Sequence, residues 1–124
     1  MGIKLTTHID FPDEIIIRKF EGVIQPEDVL LSWENIKSSP LLTTSTKGII
    51  SDLSKCDFRM DLNGFQKIIN YLKNQEYLKP IKLAVITDSP KDIVFPMIGE
   101  STVKSLQIKP FNTESAATRW IMNL

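Results

Sequence analysis

The sequence predicts an α/β fold with the element order ββαβαβαβα, a mostly parallel sheet with an antiparallel N-terminal edge strand, covered by helices. Three observations predict it. Two β-branched segments joined by turn chemistry open the chain, between Ile3 and Gly22. After them, apolar stripes at helical spacing alternate with short continuous apolar runs, which read as strands buried on both faces. Strands joined through helices must run parallel with right-handed crossovers, so the later strands form one sheet between layers of helix.

Ile3, Leu5, Thr7 and Ile9 recur with period two against Lys4, Thr6 and His8, the pattern of a half-buried edge strand. Phe11-Pro12-Asp13-Glu14 is turn chemistry, and Ile15 to Gly22 is strand-prone, so a short antiparallel hairpin follows. Pro26-Glu27-Asp28 suits a helix start: proline fits the first position, and the acids face the positive end of the helix dipole. Val29, Leu30, Trp33 and Ile36 form its buried stripe, and Ser38-Ser39-Pro40 ends it. A loop from Leu41 to Lys47 leads to the apolar run Gly48 to Leu53, a central strand.

A polar turn then precedes a second helix, with Asp61 or Asp57 as N-cap and Leu62, Phe65, Ile68, Ile69 and Leu72 as its stripe. Lys79-Pro80 breaks the pattern before the strand Ile81 to Thr87, which runs out into Asp88. Lys91 to Val103 reads as a short or kinked third helix, because Pro96 and Gly99 interrupt an apolar segment. Leu106 to Phe111 is a last strand whose Pro110 places it near an edge. Asn112-Thr113-Glu114 caps a final helix that turns Ala116, Ala117, Trp120, Ile121 and Leu124 inward.

At 124 residues the chain is expected to form one domain, 1–124, around a single core. Its 15 basic and 15 acidic residues balance, which gives no long-range field to draw in nucleic acid, where phosphate neutralisation supplies most of the affinity. The N-terminus lacks the apolar run of a secretory signal, and no segment approaches the roughly 18 apolar residues of a spanning helix. The single Cys56 has no internal disulfide partner, which agrees with a reducing, cytoplasmic compartment.

Candidate functional residues gather where strands end. Asp52 and Asp88 follow apolar runs, where open α/β sheets bind ligands. They read either as caps of the following turns or as a paired-carboxylate Mg²⁺ site, and with no lysine, histidine or glycine-rich loop beside them the capping role is preferred. Cys56 and His8 are the single thiol–imidazole pair, and their separation makes the thiol an ordinary loop cysteine. No glycine-rich nucleotide loop, histidine-rich metal motif or nucleophile elbow occurs, so neither an enzyme nor a resident cofactor is expected. Phe95, Pro96, Met97 and Ile98, with Phe58 and Met60, either complete the core beneath a kinked helix or form a partner- or lipid-contact patch.

Gly22, Pro26-Glu27-Asp28 with Trp33, Gly48-Ile49-Ile50-Ser51-Asp52, Lys82-Leu83-Ala84-Val85 and Phe111 to Ala117 with Trp120 together resemble the SpoIIAA-like proteins, relatives of the STAS and SEC14-like domains. The resemblance spans nearly the whole chain. It implies the same fold and a regulatory, non-enzymatic module that meets a protein partner or a copy of itself; its SEC14-like side implies a carrier or sensor of a small apolar or lipid-like ligand. Met60-Asp61-Leu62-Asn63-Gly64 is similar to the Met-Asp-Ser-Ser-Gly motif that carries the phosphorylated serine in anti-sigma-factor antagonists, but Leu62 and Asn63 occupy both serine positions. The switch is therefore not carried over, and Ser51 and Ser54 lie outside the motif. The partner- or ligand-facing set is accordingly Asp52, Ser54, Cys56, Phe58, Asp61, Asn63, Asp88, Phe95, Met97 and Ile98.

Overall fold

The run Ile15-Ile16-Ile17 sorts its side chains to both faces of a sheet, and the rest of the fold is built on those two faces. The computed structural model describes residues 2–89 and 106–124. Among these residues, five strands lie in the order β1-β2-β3-β4-β5: β1 Gly2–Thr7, β2 Ile15–Ile24, β3 Gly48–Phe58, β4 Lys82–Ile86 and β5 Gln107–Phe111. β1 pairs antiparallel to β2, and every later pairing is parallel. The helices are α1 Pro26–Lys37, α2 Leu62–Lys73 and α3 Glu114–Met122, with a 3-10 turn at Glu76–Leu78 ahead of β4. The helix expected over Lys91 to Val103 lies outside the described residues, as do Phe95, Met97 and Ile98.

Alternation along the strands separates two cores. Ile16, Phe20, Ile24, Ile49 and Leu53 meet Val29, Trp33 and Ile36 of α1 and Ile68, Ile69 and Leu72 of α2. On the opposite face Ile15, Ile17, Ile50, Ala84 and Ile86 meet Ala117 and Ile121 of α3. Helix ends fall where the sequence places them. Pro26 opens α1, and the Gln25 N–H donates to Asp28 Oδ2 at 2.8 Å. Asp61 caps α2 by accepting from the Gly64 N–H at 2.7 Å, and Thr113 caps α3 by accepting from the Ala116 N–H at 3.1 Å. Pro110 sits on edge strand β5 opposite Val85, where its missing N–H leaves no central ladder broken.

Several expectations need correction. β3 does not end at Leu53: it runs on to Phe58, so Ser54, Cys56 and Phe58 lie on a strand and not in a turn. Pairing with β2 shifts register between Lys19 and Glu21, where Phe20 alone faces two β3 residues. That β-bulge leaves the Ser54 N–H to be taken by Asp52 Oδ1, at 3.0 Å. β4 stops at Ile86 opposite Asp52, so beyond the bulge β3 is paired, among the described residues, with β2 alone. Ile9, Leu62 and Leu124 do not point inward; they are 89%, 72% and 72% exposed, and Ala116 is exposed too. Ile9 follows the last paired residue of β1, Leu62 precedes the first buried turn of α2, and Leu124 lies beyond the left-handed cap residue Asn123.

Gly48 shows how closely α3 lies on the sheet. A β-carbon there would fall 2.5 Å from Ile121 Cγ2 in the smaller core. Gly48→Ala is therefore expected to destabilise the fold by about 1–3 kcal/mol through overpacking. Urea denaturation measures it, and an unchanged midpoint would contradict this packing.

Candidate functional site

The overhang of β3 past β4 builds a surface at the C-terminal end of the sheet. Its residues are more polar than those of the covered part, because one side of the strand faces away from the core: Ser54, Lys55 and Asp57 are exposed, while Cys56 and Phe58 are half-buried. The following turn delivers the chain to the start of α2, whose Asp61, Leu62 and Asn63 are all exposed.

Two grooves flank this strand. One, of about 310 Å³, is lined by Leu53, Ser54, Cys56, Asp57, Phe58, Met60, Phe65, Thr87, Asp88 and Ser89. The other, of about 610 Å³, is lined by Gln25, Pro26, Glu27, Phe58, Arg59, Met60, Asp61, Asn63, Gly64 and Lys67. The structure thus brings Ser54, Cys56, Phe58 and Asp88 to the first groove and Phe58, Asp61 and Asn63 to the second. Asp52 lines neither. Its Oδ1 is engaged by the Ser54 hydroxyl at 2.6 Å and the Ser54 N–H, which ties it to the bulge. Among the described residues no three His, Cys, Asp or Glu side chains form a metal-binding cluster.

The ionic groups around the second groove are exposed pairs, Arg59 with Asp57 at 2.9 Å and Lys67 with Glu27 at 3.9 Å, and contribute little to stability. Cys56 is no activated nucleophile. Burial, with Asp57 and Asp52 adding repulsion, pushes its thiol pKa up to about 11. His8 lies at the opposite end of the sheet, beside Ile15, whereas Cys56 pairs with Gly22. Seven residues of strand put on the order of 20 Å between them. The role of His8 is structural. Its Nδ1 accepts from the Asp10 and Phe11 N–H groups at 3.0 and 3.2 Å, and its Nε2 meets Thr118 Oγ1 at 3.1 Å. It thereby ties the hairpin to α3.

Sequence reasoning missed Arg18. It stands on β2 between Ile16 and Phe20, on the face that packs against α1 and α2, and is only 4% exposed. Its Nε and Nη2 donate to Ser51 Oγ at 3.1 and 2.9 Å, and its Nη1 donates to Ser32 Oγ at 3.4 Å. The guanidinium lies 3.9 Å from the Trp33 ring centroid and 4.8 Å from that of Phe20. Among the described residues no carboxylate lies within ion-pair distance of it. Burial lowers its pKa to about 9, with Tyr77 opposing the shift, so it remains cationic at neutral pH. Beside it is an apolar cavity of about 50 Å³, lined also by Phe20, Val29, Trp33, Ser51, Leu53, Phe58, Ile68, Leu72, Leu83, Val85 and Ile108. The available signal was one charged residue at an inward position of an otherwise apolar period-two pattern, Ile16-x-Arg18-x-Phe20.

Two measurements check this geometry. Iodoacetamide should alkylate Cys56 at pH 8 about 100-fold more slowly than an unperturbed thiol, with the rate climbing toward pH 11, since only the thiolate reacts; a profile centred near pH 9 would contradict the burial. Asp61→Ala should cost about 1 kcal/mol by removing the cap of α2, read from chemical denaturation.

No family model matches the sequence, and no curated protein matches it. Solved structures do resemble it. The anti-sigma factor antagonist SpoIIAA in its unphosphorylated form superposes with a TM-score of 0.60 over 99% of this chain and 100% of its own, at 15% identity. An uncharacterised protein of the DUF3478 family from Shewanella loihica PV-4, with a SpoIIAA-like fold, gives 0.59 over 97% and 94%, at 16% identity. The antiparallel β1–β2 pair, the parallel β2-to-β5 order and the helices that cover them constitute the SpoIIAA-like fold.

Proposed function

We propose that this protein is a non-enzymatic, cytoplasmic interaction module of SpoIIAA/STAS type, which meets a protein partner or a copy of itself through the β3 overhang and the start of α2. The observation that carries the reading is the exposed Leu62-Asn63 pair, set beside the grooves that share Phe58 and Met60, at one end of a fold like that of an anti-sigma factor antagonist. An exposed leucine at the rim of a groove is stabilised by being covered. Leu62 and Asn63 occupy the positions resembling the phosphorylated serine motif, so contact here is not gated by a phosphate on those residues.

The cavity at Arg18 supports a second reading, a carrier or sensor of a small apolar ligand of only a few atoms, because the site is concave, lined mainly by apolar side chains and provided with one oriented polar group. The two readings occupy different layers of the molecule: one the surface, the other the space between the sheet and α1–α2.

A photo-crosslinking amino acid placed at Leu62 should yield a discrete adduct in the producing cells. The same group at Leu31, exposed on the outer face of α1, should not. Asn63→Arg should reduce the Leu62 adduct at least about tenfold, by placing an unmatched charge in the contact. Equal labelling from both sites, or none from Leu62, would argue against this surface.

A further inference from the structure

The buried cation between the sheet and the α1–α2 pair has no counter-charge among the described residues, and its chemistry identifies what is missing. Arg18 carries five N–H donors in a planar fork, and the structure shows three hydrogen bonds from them, two to Ser51 and one to Ser32. Both acceptors are neutral hydroxyls. The indole of Trp33 covers one face of the guanidinium and holds its plane, which pre-organises the fork. The adjoining cavity of about 50 Å³ has room for roughly three to five non-hydrogen atoms, since a water needs roughly 10–15 Å³ of such volume. Apart from Arg18 and Ser51 its described walls are hydrocarbon and aromatic.

A neutral occupant would leave the guanidinium charge uncompensated, and an inorganic anion would leave the apolar wall unused. We propose that this cavity binds a short-chain monocarboxylate, its carboxylate on the remaining N–H donors of Arg18 and its alkyl group against Val29, Leu83, Val85 and Ile108. The proposal rests on the ligand-sensor reading and names the chemical class that reading leaves open. Charge-assisted hydrogen bonds from a guanidinium to a carboxylate supply orientation, and the cavity volume limits chain length. The half-buried Phe58 lines both this cavity and the two surface grooves.

The test is a titration of the full-length protein with sodium acetate and sodium propionate, against sodium chloride at matched ionic strength, propionamide as the neutral isostere, and octanoate as an over-long chain. Isothermal titration calorimetry reports affinity, and the arginine Nε–H resonance of labelled wild-type protein reports the site without any substitution. Saturable binding of propionate with a Kd of about 0.01–1 mM, within what so few atoms can supply, is expected. The Arg18 Nε–H signal should shift in step, and octanoate should not bind. Arg18→Met should weaken propionate binding at least about 30-fold, the usual scale for removing one partner of a buried charge pair. If that variant does not fold, the wild-type resonance still decides. Equal binding of propionamide and propionate would overturn the carboxylate assignment while leaving a ligand sensor standing. Binding of neither overturns both. A response to chloride that matches propionate also overturns the proposal.

Discussion

Coverage of β2 and β3 on both faces is the constraint on which the structure depends. Over Ile15–Arg18 of β2 and Gly48–Ser51 of β3 every residue is buried, so successive residues there must satisfy opposite cores. Ile15 and Ile17 serve α3, while Ile16, Phe20 and Ile24 serve α1 and α2. The close approach of Gly48 to Ile121 and the His8–Thr118 contact follow from the same coverage, since they draw α3 onto its face of the sheet. Arg18 violates the constraint. Among the described residues it has no ion partner, and an unpaired ion in such a layer costs on the order of several kcal/mol, only partly offset by two hydroxyls and an indole face. Positions that break an otherwise consistent pattern without local benefit are where function is expected to lie.

Much of this fold was legible because its signals are local. Pro26 at a helix start, Asp61 and Thr113 at caps, Pro110 on an edge and the period-two hairpin each act within a few residues, and each stands in the structure where the sequence puts it. The full length of β3 was not legible. Lys55 to Phe58 has the composition of a turn, and its strand conformation comes from the ladder to Glu21–Ile24, a partner supplied by the tertiary fold. Ile9 and Leu124 misled because apolar spacing continues past the residue where an element ends, and Leu62 because it stands exposed in the first turn of α2.

The candidate site was legible only in part. Strand ends pointed to Asp88, and the loop before the second helix with its motif resemblance pointed to Ser54, Cys56, Phe58, Asp61 and Asn63; the structure gathers these along two grooves. Asp52, chosen as Asp88 was, is occupied by the bulge it stabilises. Arg18 was not distinguishable from a surface arginine, because period-two patterning assigns a face to a strand from its majority and reads a single charge as noise. Its neighbours Ser51 and Ser32 lie 33 and 14 residues away, so nothing local announces the cluster.

The bulge near Ser54 has a wider consequence than the turn it contains. Before it, odd-numbered β3 residues such as Ile49 and Leu53 face α1 and α2; after it, the even-numbered Cys56 and Phe58 pack against that same core. One extra residue works as a change of parity. It hands the role of facing inward from one set of codons to the other, so Phe58 walls the interior only because the count was offset upstream. Substitutions leave that count untouched; deleting the extra residue between Leu53 and Cys56 would remove the bulge and keep Cys56 and Phe58 facing inward, whereas inserting another would exchange the inner and outer faces of the overhang.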